Sequence, residues 1–356
     1  MEVILGKIID FIDDISTYAY SDIHIKENGN IALRILGDIS FSNCFVELKD
    51  IEEFFKEINL DSVDYLKKVS EVDFSFYSSQ SRFRGNIFFS MGRLSISLRR
   101  IDNTIKGFRE LLIPIAVESL CNFSSGLVFI TGPTGSGKTT SLAAIIDYIN
   151  ENSKRHIITI EDPIEFVFKN KNSIITQREV GKDTASFSDA IKSALRQDPD
   201  VIVIGEIRDK DTMINAISAA QTGHLCFCTL HTIGAVDTIE RIMGFFSGDE
   251  KEKIRFEVSI VLKAILSQQL IKLEDSRTPI VEFIKIEKSI SNIIKEGKIN
   301  QIQNYIQINS SKGLVSMDSE LLKMYYKGFI NKEDILRKCL DKEYVLKNID
   351  KGIFKT

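Results

Sequence analysis

Residues 126–140 read GLVFITGPTGSGKTT. Leu127, Val128, Phe129 and Ile130 form an apolar run of strand length. The run breaks into Gly132, Pro133, Thr134, Gly135, Ser136, Gly137, Lys138, Thr139 and Thr140, after which Leu142, Ile145, Ile146 and Ile149 recur at helical spacing. The spacing predicts a strand, a glycine-rich loop and a helix. The loop fits GxxxxGK[ST], whose glycines let backbone N–H groups curl around phosphate oxygens while the helix points its positive end at them. Lys138 is then placed to reach the β- and γ-phosphates and the Thr139 hydroxyl to ligate Mg2+. The ligand expected is a nucleoside triphosphate.

Outward from this stretch, short apolar runs alternate with helical patterns at 127–131, 157–160, 201–204 and 225–230. Continuous apolar strands separated by helices predict an α/β unit with a parallel sheet covered on both faces. In such sheets the chemistry lies beyond the carboxyl ends of the strands. Glu161 and Asp162 follow the second run, and Gly205 and Glu206 follow the third. A carboxylate there holds magnesium or polarises the attacking water, and Glu206 is the better candidate for the water. Asp209 and Asp211 suit a first helical turn instead. The fourth run is framed by His224 and His231. Each has a structural reading as a hydrogen-bonded ring, and His231, at the carboxyl end, also has a reading as a phosphate sensor.

Residues 1–105 read as a small α/β unit: a helix over 3–18, β-like runs at 23–25 and 31–35, helical stretches at 51–58 and 63–69, and strands at 73–77, 82–89 and 94–101. Leu94, Ile96 and Leu98 alternate with Ser95, Ser97 and Arg99, the pattern of a sheet with one buried face. Arg84 and Arg99 fall on the other face, either simply solvated or reaching a phosphate as planar guanidinium clamps. A polar, aperiodic segment at 102–107 marks the linker. Domains are expected at 1–105, 106–270 and 271–356, the last a mainly helical part with patterns at 290–295, 318–326, 332–340 and 343–349.

The chain has 356 residues, 43% apolar and 27% charged, and a net charge of −4. These are values of a globular protein without the basic excess that marks nucleic acid as a main partner. No apolar run approaches the ~18 residues of a bilayer span, and acidic residues interrupt the N-terminal helix, so a cytoplasmic protein is expected. Five scattered cysteines suggest reduced thiols. Cys226 and Cys228 share a strand face and read as core packing or as half of a metal site.

GPTGSGKTT, TIEDPIEF (159–166), RQDPDVIVIGEIRD (196–209) and TGHLCFCTLHT (222–232) resemble the Walker A, Asp-box, Walker B and His-box motifs of the secretion ATPase superfamily. Within it the chain most resembles the type IV pilus retraction ATPases, the PilT family. The likeness extends through SDIHI (21–25), DFSF (73–76), RFRGNIF (82–88), LSQQL (266–270), EGKINQI (296–302) and GLVSMDSELLKMYYKGFI (313–330). The resemblance implies a RecA-like P-loop domain preceded by a smaller PAS-like α+β domain and followed by a helical appendage. It implies ATP and Mg2+ as cofactors, a homo-oligomeric ring of six, and pilus retraction as the work. It also implies an inner-membrane platform protein as partner, with membrane contact only through partners. Glu206 matches the catalytic glutamate, Glu161 and Asp162 the Asp box, and His224 and His231 the His box. Arg84 and Arg99 match arginines that reach nucleotide, and Arg196 and Arg208 match arginines near subunit contacts. Thr139, Glu161 and Glu206 are the expected metal-side groups. Ser291 stands where the family commonly has arginine in a motif linked to retraction, and Gln221 where it commonly has glutamate. The alternative is a pilus assembly, type II secretion or DNA-uptake ATPase of the same superfamily.

Overall fold

The computed structural model describes residues 6–18, 20–35, 37–58, 70–78, 81–101, 104–273, 277–309 and 313–351. The expected helix at 63–69 lies outside them. Two compact units divide the chain, Met1–Thr104 and Ile105–Thr356.

The first unit is a six-stranded antiparallel sheet of β1 (Asp22–Lys26), β2 (Gly29–Ile35), β3 (Asp38–Val46), β4 (Glu71–Tyr77), β5 (Arg82–Ser90) and β6 (Arg93–Ile101), in the order β3-β2-β1-β6-β5-β4. Strand alternation sends Ile23, Ile25, Phe83, Ile87, Leu94, Ile96 and Leu98 to one face. There they pack with Ile8 and Ile12 of the Lys7–Asp14 helix and Ile51 and Phe54 of the Leu48–Glu57 helix. Phe54 meets Phe74 and Phe76 edge to face at 6.2 and 5.3 Å. Gly85 is required beneath Phe74, because a Cβ there would lie 2.1 Å from the ring. Strand β3 was not anticipated. Its Ile39, Phe41 and Phe45 are exposed, so it lacks the buried stripe by which a strand is recognised.

The second unit is built on a seven-stranded sheet of β7 (Gly126–Thr131), β8 (His156–Glu161), β9 (Ile174–Glu179), β10 (Val201–Ile204), β11 (Leu225–Leu230), β12 (Leu262–Lys272) and β13 (Arg277–Lys285), ordered β13-β12-β7-β11-β10-β8-β9. All neighbours are parallel except β12 and β13. Every residue of β7, β10 and β11 is buried. Leu127 and Phe129 enter the core on one face, and Val128 and Ile130 enter the core on the other. That double burial is why these strands read as unbroken apolar runs rather than alternating ones. Cys226 and Cys228 pack beside Phe129 in the first of these cores, where burial pushes the Cys226 thiol up to about 12. They are core residues.

The division expected at 270 falls inside β12, and β13 beyond it completes the same sheet. The helices Lys288–Lys295 and Gln301–Ile308 send Ile290, Ile294, Ile302 and Ile306 into the main core. The helices Met317–Tyr326, Lys332–Lys338 and Lys342–Lys351 close a smaller core with Ile271 and Ile280. Ser291 uses its hydroxyl to donate to the Ser259 carbonyl at 2.6 Å, tying its helix to the Gly248–Val261 helix. Among the described residues no helix is long and apolar enough to cross a membrane.

Candidate active site

Strand β7 ends at Thr131, and the chain turns at Gly132 with φ 147°. A Cβ at Gly132 would lie 2.1 Å from the Gln268 carbonyl oxygen, so only glycine lets the loop pass so close to β12. The Gln268 side chain then donates its amide to the Ser136 carbonyl at 2.6 Å. The loop is clamped from the neighbouring strand. Gly137, left-handed at φ 86°, caps the Lys138–Asn152 helix. The first N–H groups of that helix have no intrahelical acceptor and carry its positive dipole end, which suits phosphate oxygens.

Lys138 donates its ammonium to the Gly132 carbonyl at 2.8 Å and the Pro133 carbonyl at 3.0 Å, with His231 Nδ1 at 3.4 Å. Burial lowers its pKa, opposed by the carboxylates of Glu206 and Glu165. An ammonium can only donate, so His231 Nδ1 facing Lys138 is the acceptor and Nε2 carries the ring proton. That Nε2 lies 3.0 Å from Glu206 Oε1. Arg208 holds the other oxygen, with Nε at 2.8 Å and Nη2 at 2.7 Å, and its Nη1 reaches Asp162 at 3.3 Å. Glu206 and Asp162 together raise the Arg208 pKa.

The result is a chain of contacts, Lys138 to His231 to Glu206 to Arg208 to Asp162, running across the carboxyl ends of β7, β11, β10 and β8. Gly205 makes the crossing possible. Its N–H donates to the Ile160 carbonyl at 2.8 Å, and a Cβ there would meet that oxygen at 3.0 Å. Thr229 donates its hydroxyl to the Gly205 carbonyl.

The other expected site residues make different contacts. Glu161 Oε1 accepts from the Thr159 hydroxyl at 2.7 Å and the Gln177 amide at 3.1 Å, which ties that oxygen to β9. Burial raises its pKa against those hydrogen bonds. His224 precedes β11, at the amino edge of the sheet. Its Nδ1 lies 2.9 Å from the Ala219 carbonyl in the last turn of the Lys210–Gln221 helix. A six-residue parallel strand separates the two histidines by about 20 Å, so His224 lies at the opposite edge of the sheet from His231 and Glu206.

Arg84 and Arg99, in the first unit, face each other across β5 and β6. Both are exposed. Arg99 donates to Asp22 at 2.9 Å. Burial acts to raise the Asp22 pKa, but hydrogen bonds from Ser21 and Arg99 outweigh it and hold the pKa below the usual value. Like charges directly opposite on a sheet are unfavourable, and Asp22 offsets only one of the pair.

Three contributors were not read as site residues at the sequence level: Gln268 as the loop clamp, Arg208 as an internal bridge, and Glu165 as a charge felt by Lys138. LSQQL carried the first in plain view, but no periodic pattern tells a clamp from a core polar residue.

Among the described residues no cluster of three His, Cys, Asp or Glu side chains forms a metal cage. Magnesium ordinarily keeps several waters and takes one or two protein groups plus substrate phosphates. Thr139, at the start of the helix with no side-chain partner among the described residues, fits that role. The carboxylates of Glu161 and Glu206 are already engaged by protein groups.

Residues 114–279 match the family model for type II/IV secretion system proteins. A twitching motility protein of Neisseria gonorrhoeae is 43% identical over 276 residues, 77% of this chain and 74% of that one. The type IV pilus retraction ATPase PilT of Pseudomonas aeruginosa is 38% identical over 324 residues, 90% of this chain and 94% of that one. The crystal structure of the pilus retraction motor PilT with bound ADP superposes with a TM-score of 0.88 at 39% identity, covering 96% of this chain and 99% of the other. With its P-loop intact and its likeness running through both units, the chain belongs to the PilT family of type IV pilus retraction ATPases, within the secretion ATPases.

Proposed function

We propose that this chain is a subunit of a magnesium-dependent ATPase ring that powers type IV pilus retraction. The family carries the class of work, and one observation carries the chemistry: the continuous contacts from Lys138 through His231 to Glu206. Lys138 and the loop N–H groups bind the β- and γ-phosphates, in competition with the Gly132 and Pro133 carbonyls that Lys138 touches. Thr139 would hold magnesium together with phosphate and water, and the ion would supply charge neutralisation. Glu206 orients the lytic water and accepts its proton. His231 and Arg208 fix the plane of the Glu206 carboxylate from two sides, so its lone pairs are aimed rather than free to rotate.

Because His231 touches both Lys138 and Glu206, a γ-phosphate oxygen arriving at Lys138 changes the hydrogen bonding of the ring that holds the catalytic carboxylate. Arg84 and Arg99 extend from the first unit to nucleotide held by a neighbouring subunit of a hexamer. The motor acts on an inner-membrane platform protein from the cytoplasmic face.

The experiment is Glu206→Gln in place of the native protein in cells, with phosphate release measured on the purified variant. Surface pilin that persists or accumulates while pilus-dependent movement stops is the expected result. Loss of surface pilin would instead make the chain an assembly motor. Unchanged phosphate release would remove Glu206 from the chemistry.

A further inference from the structure

The segment 231–234 carries His231 at one end and, at the other, the glycine that starts the Ala235–Gly244 helix. Its far end is held by a buried polar set outside the nucleotide site. Gly234 donates its N–H to Ser267 Oγ at 2.7 Å, and Ala235 donates its N–H to Glu282 Oε1 at 2.9 Å. Thr238 donates to the Gly234 carbonyl at 2.6 Å and lies 2.8 Å from the Thr232 hydroxyl and 3.3 Å from that of Thr131, the last residue before the P-loop. Thr131, Ser267 and Glu282 sit in one row across β7, β12 and β13. Thr131, Thr238, Ser267 and Glu282 are all at most 1% exposed.

The same row reaches the C-terminal helices. Asp318 accepts from the N–H groups of Leu340 and Asp341 at 2.7 and 2.9 Å, and Leu340 packs 3.0 Å from where a Cβ on Gly234 would sit. Gln269 donates to the Lys338 carbonyl at 3.0 Å.

Capping a helix needs one acceptor, and a serine, asparagine or glutamine supplies it. Glu282 places a whole buried carboxyl at this point, which accepts from the Ala235 N–H that opens one helix and is also approached by the Met317 N–H that opens another and by the Gln303 amide. Burying an ionisable carboxyl is costly, and one that bridges the first turns of two helices is expected where position matters more than stability.

We propose that Glu282 is a positioning residue for ATP hydrolysis, fixing the 231–234 segment, and through it His231 and Glu206, to the row that joins the P-loop strand to the C-terminal helices. It deepens the reading of His231 given above and rests on it. Glu282 touches no reacting group and acts through the backbone of Gly234 and Ala235. A shift of about 1 Å at His231 would uncouple it from Glu206, a scale of misplacement that costs up to about 10²-fold.

The test compares Glu282→Ala, Glu282→Gln, His231→Ala and the double variant Glu282→Ala with His231→Ala, all in the full chain. It measures kcat and KM for ATP together with Tm. Glu282→Ala is expected to lower kcat by about 10-fold or more with KM within about 3-fold. Glu282→Gln, which keeps the Oε1 acceptor, is expected to restore most of the rate. The double variant should be no slower than His231→Ala alone, since both changes break one path. A Glu282→Ala that lowers Tm but leaves kcat intact overturns the proposal. Losses that multiply in the double variant overturn it while leaving the role of His231 standing. A His231→Ala with normal kcat overturns both. Should Glu282→Ala fail to fold, Thr238→Val removes a hydroxyl at nearly constant volume, and the same loss of kcat and the same non-additivity with His231→Ala are expected. A normal rate in Thr238→Val overturns the proposal.

Discussion

Strand β11 has a histidine at each end, and the two have different surroundings. His231, beyond its carboxyl end, meets the P-loop lysine and Glu206. His224, before its amino end, meets the Ala219 carbonyl of the preceding helix. Both belong to one eleven-residue motif and share a residue type, yet only one meets the P-loop lysine and Glu206. In a parallel sheet every strand presents its carboxyl end to the same edge, so a residue's side of the strand decides whether it joins its neighbours' loops. Motif membership does not.

That contrast is open to direct attack. The largest effect is expected from Glu206→Gln, which should lower kcat by about 10³-fold with nucleotide binding retained, as measured by phosphate release and by titration with a fluorescent ATP analogue. Gly132→Ala comes next. Its methyl group would collide with the backbone of Gln268, so the loop must shift, and nucleotide affinity should fall by at least about 10²-fold in the same titration. His231→Ala should lower kcat by about 10²-fold, the scale of one lost transition-state partner. His224→Ala should change kcat by less than about 2-fold while costing about 1 kcal/mol of stability, the worth of one hydrogen bond, read as a drop in Tm. If His224→Ala slowed turnover as much as His231→Ala, the division between the two edges of the sheet would fail.

The smallest effect concerns pH. Burial raises the Glu282 carboxyl from 4.5 to about 7, with Asp318 the other carboxyl that bears on it and itself raised to about 6. The strand and helices around Glu282 otherwise turn the neutral Ser267 and Gln303 towards it. A raised carboxyl binds protons more tightly in the folded state, so its cost to stability is complete above about pH 7, shrinks as pH falls towards 4.5 and is absent below. Glu282→Gln should therefore raise Tm relative to the native chain most above pH 7, with the gap closing towards pH 4.5. A gap independent of pH would show that this carboxyl binds its proton equally in the folded and unfolded chain, so that burial does not raise it.

Much of this was legible in the sequence because its signals are local. The P-loop is a run of contiguous residues whose backbone shape depends on its own glycines, and β7, β10 and β11 announce themselves as apolar runs of the right length. Glu206 was readable because Gly205 and a buried strand precede it. The alternation of β6 put Arg99 on the polar face, as observed. Strand β3 was not readable, because an edge strand with exposed aromatic residues carries no buried stripe. Nor was the segment after 270 readable as sheet, since β12 and β13 gain their meaning from pairing with β7.

Taken alone, the sequence determined what depends on neighbours along the chain: strand, loop and helix at 126–140, the charge balance, and the residue types at the strand ends. Tertiary structure decided what depends on neighbours across the sheet. It turned Glu161 towards Gln177, set Arg208 between Glu206 and Asp162, pressed Gln268 onto the P-loop, and set His231 between Lys138 and Glu206. Covalent spacing constrains the first kind of contact to a few ångströms whatever the fold does. The second kind exists only once strand order and direction have been set by burying both faces of the sheet at once.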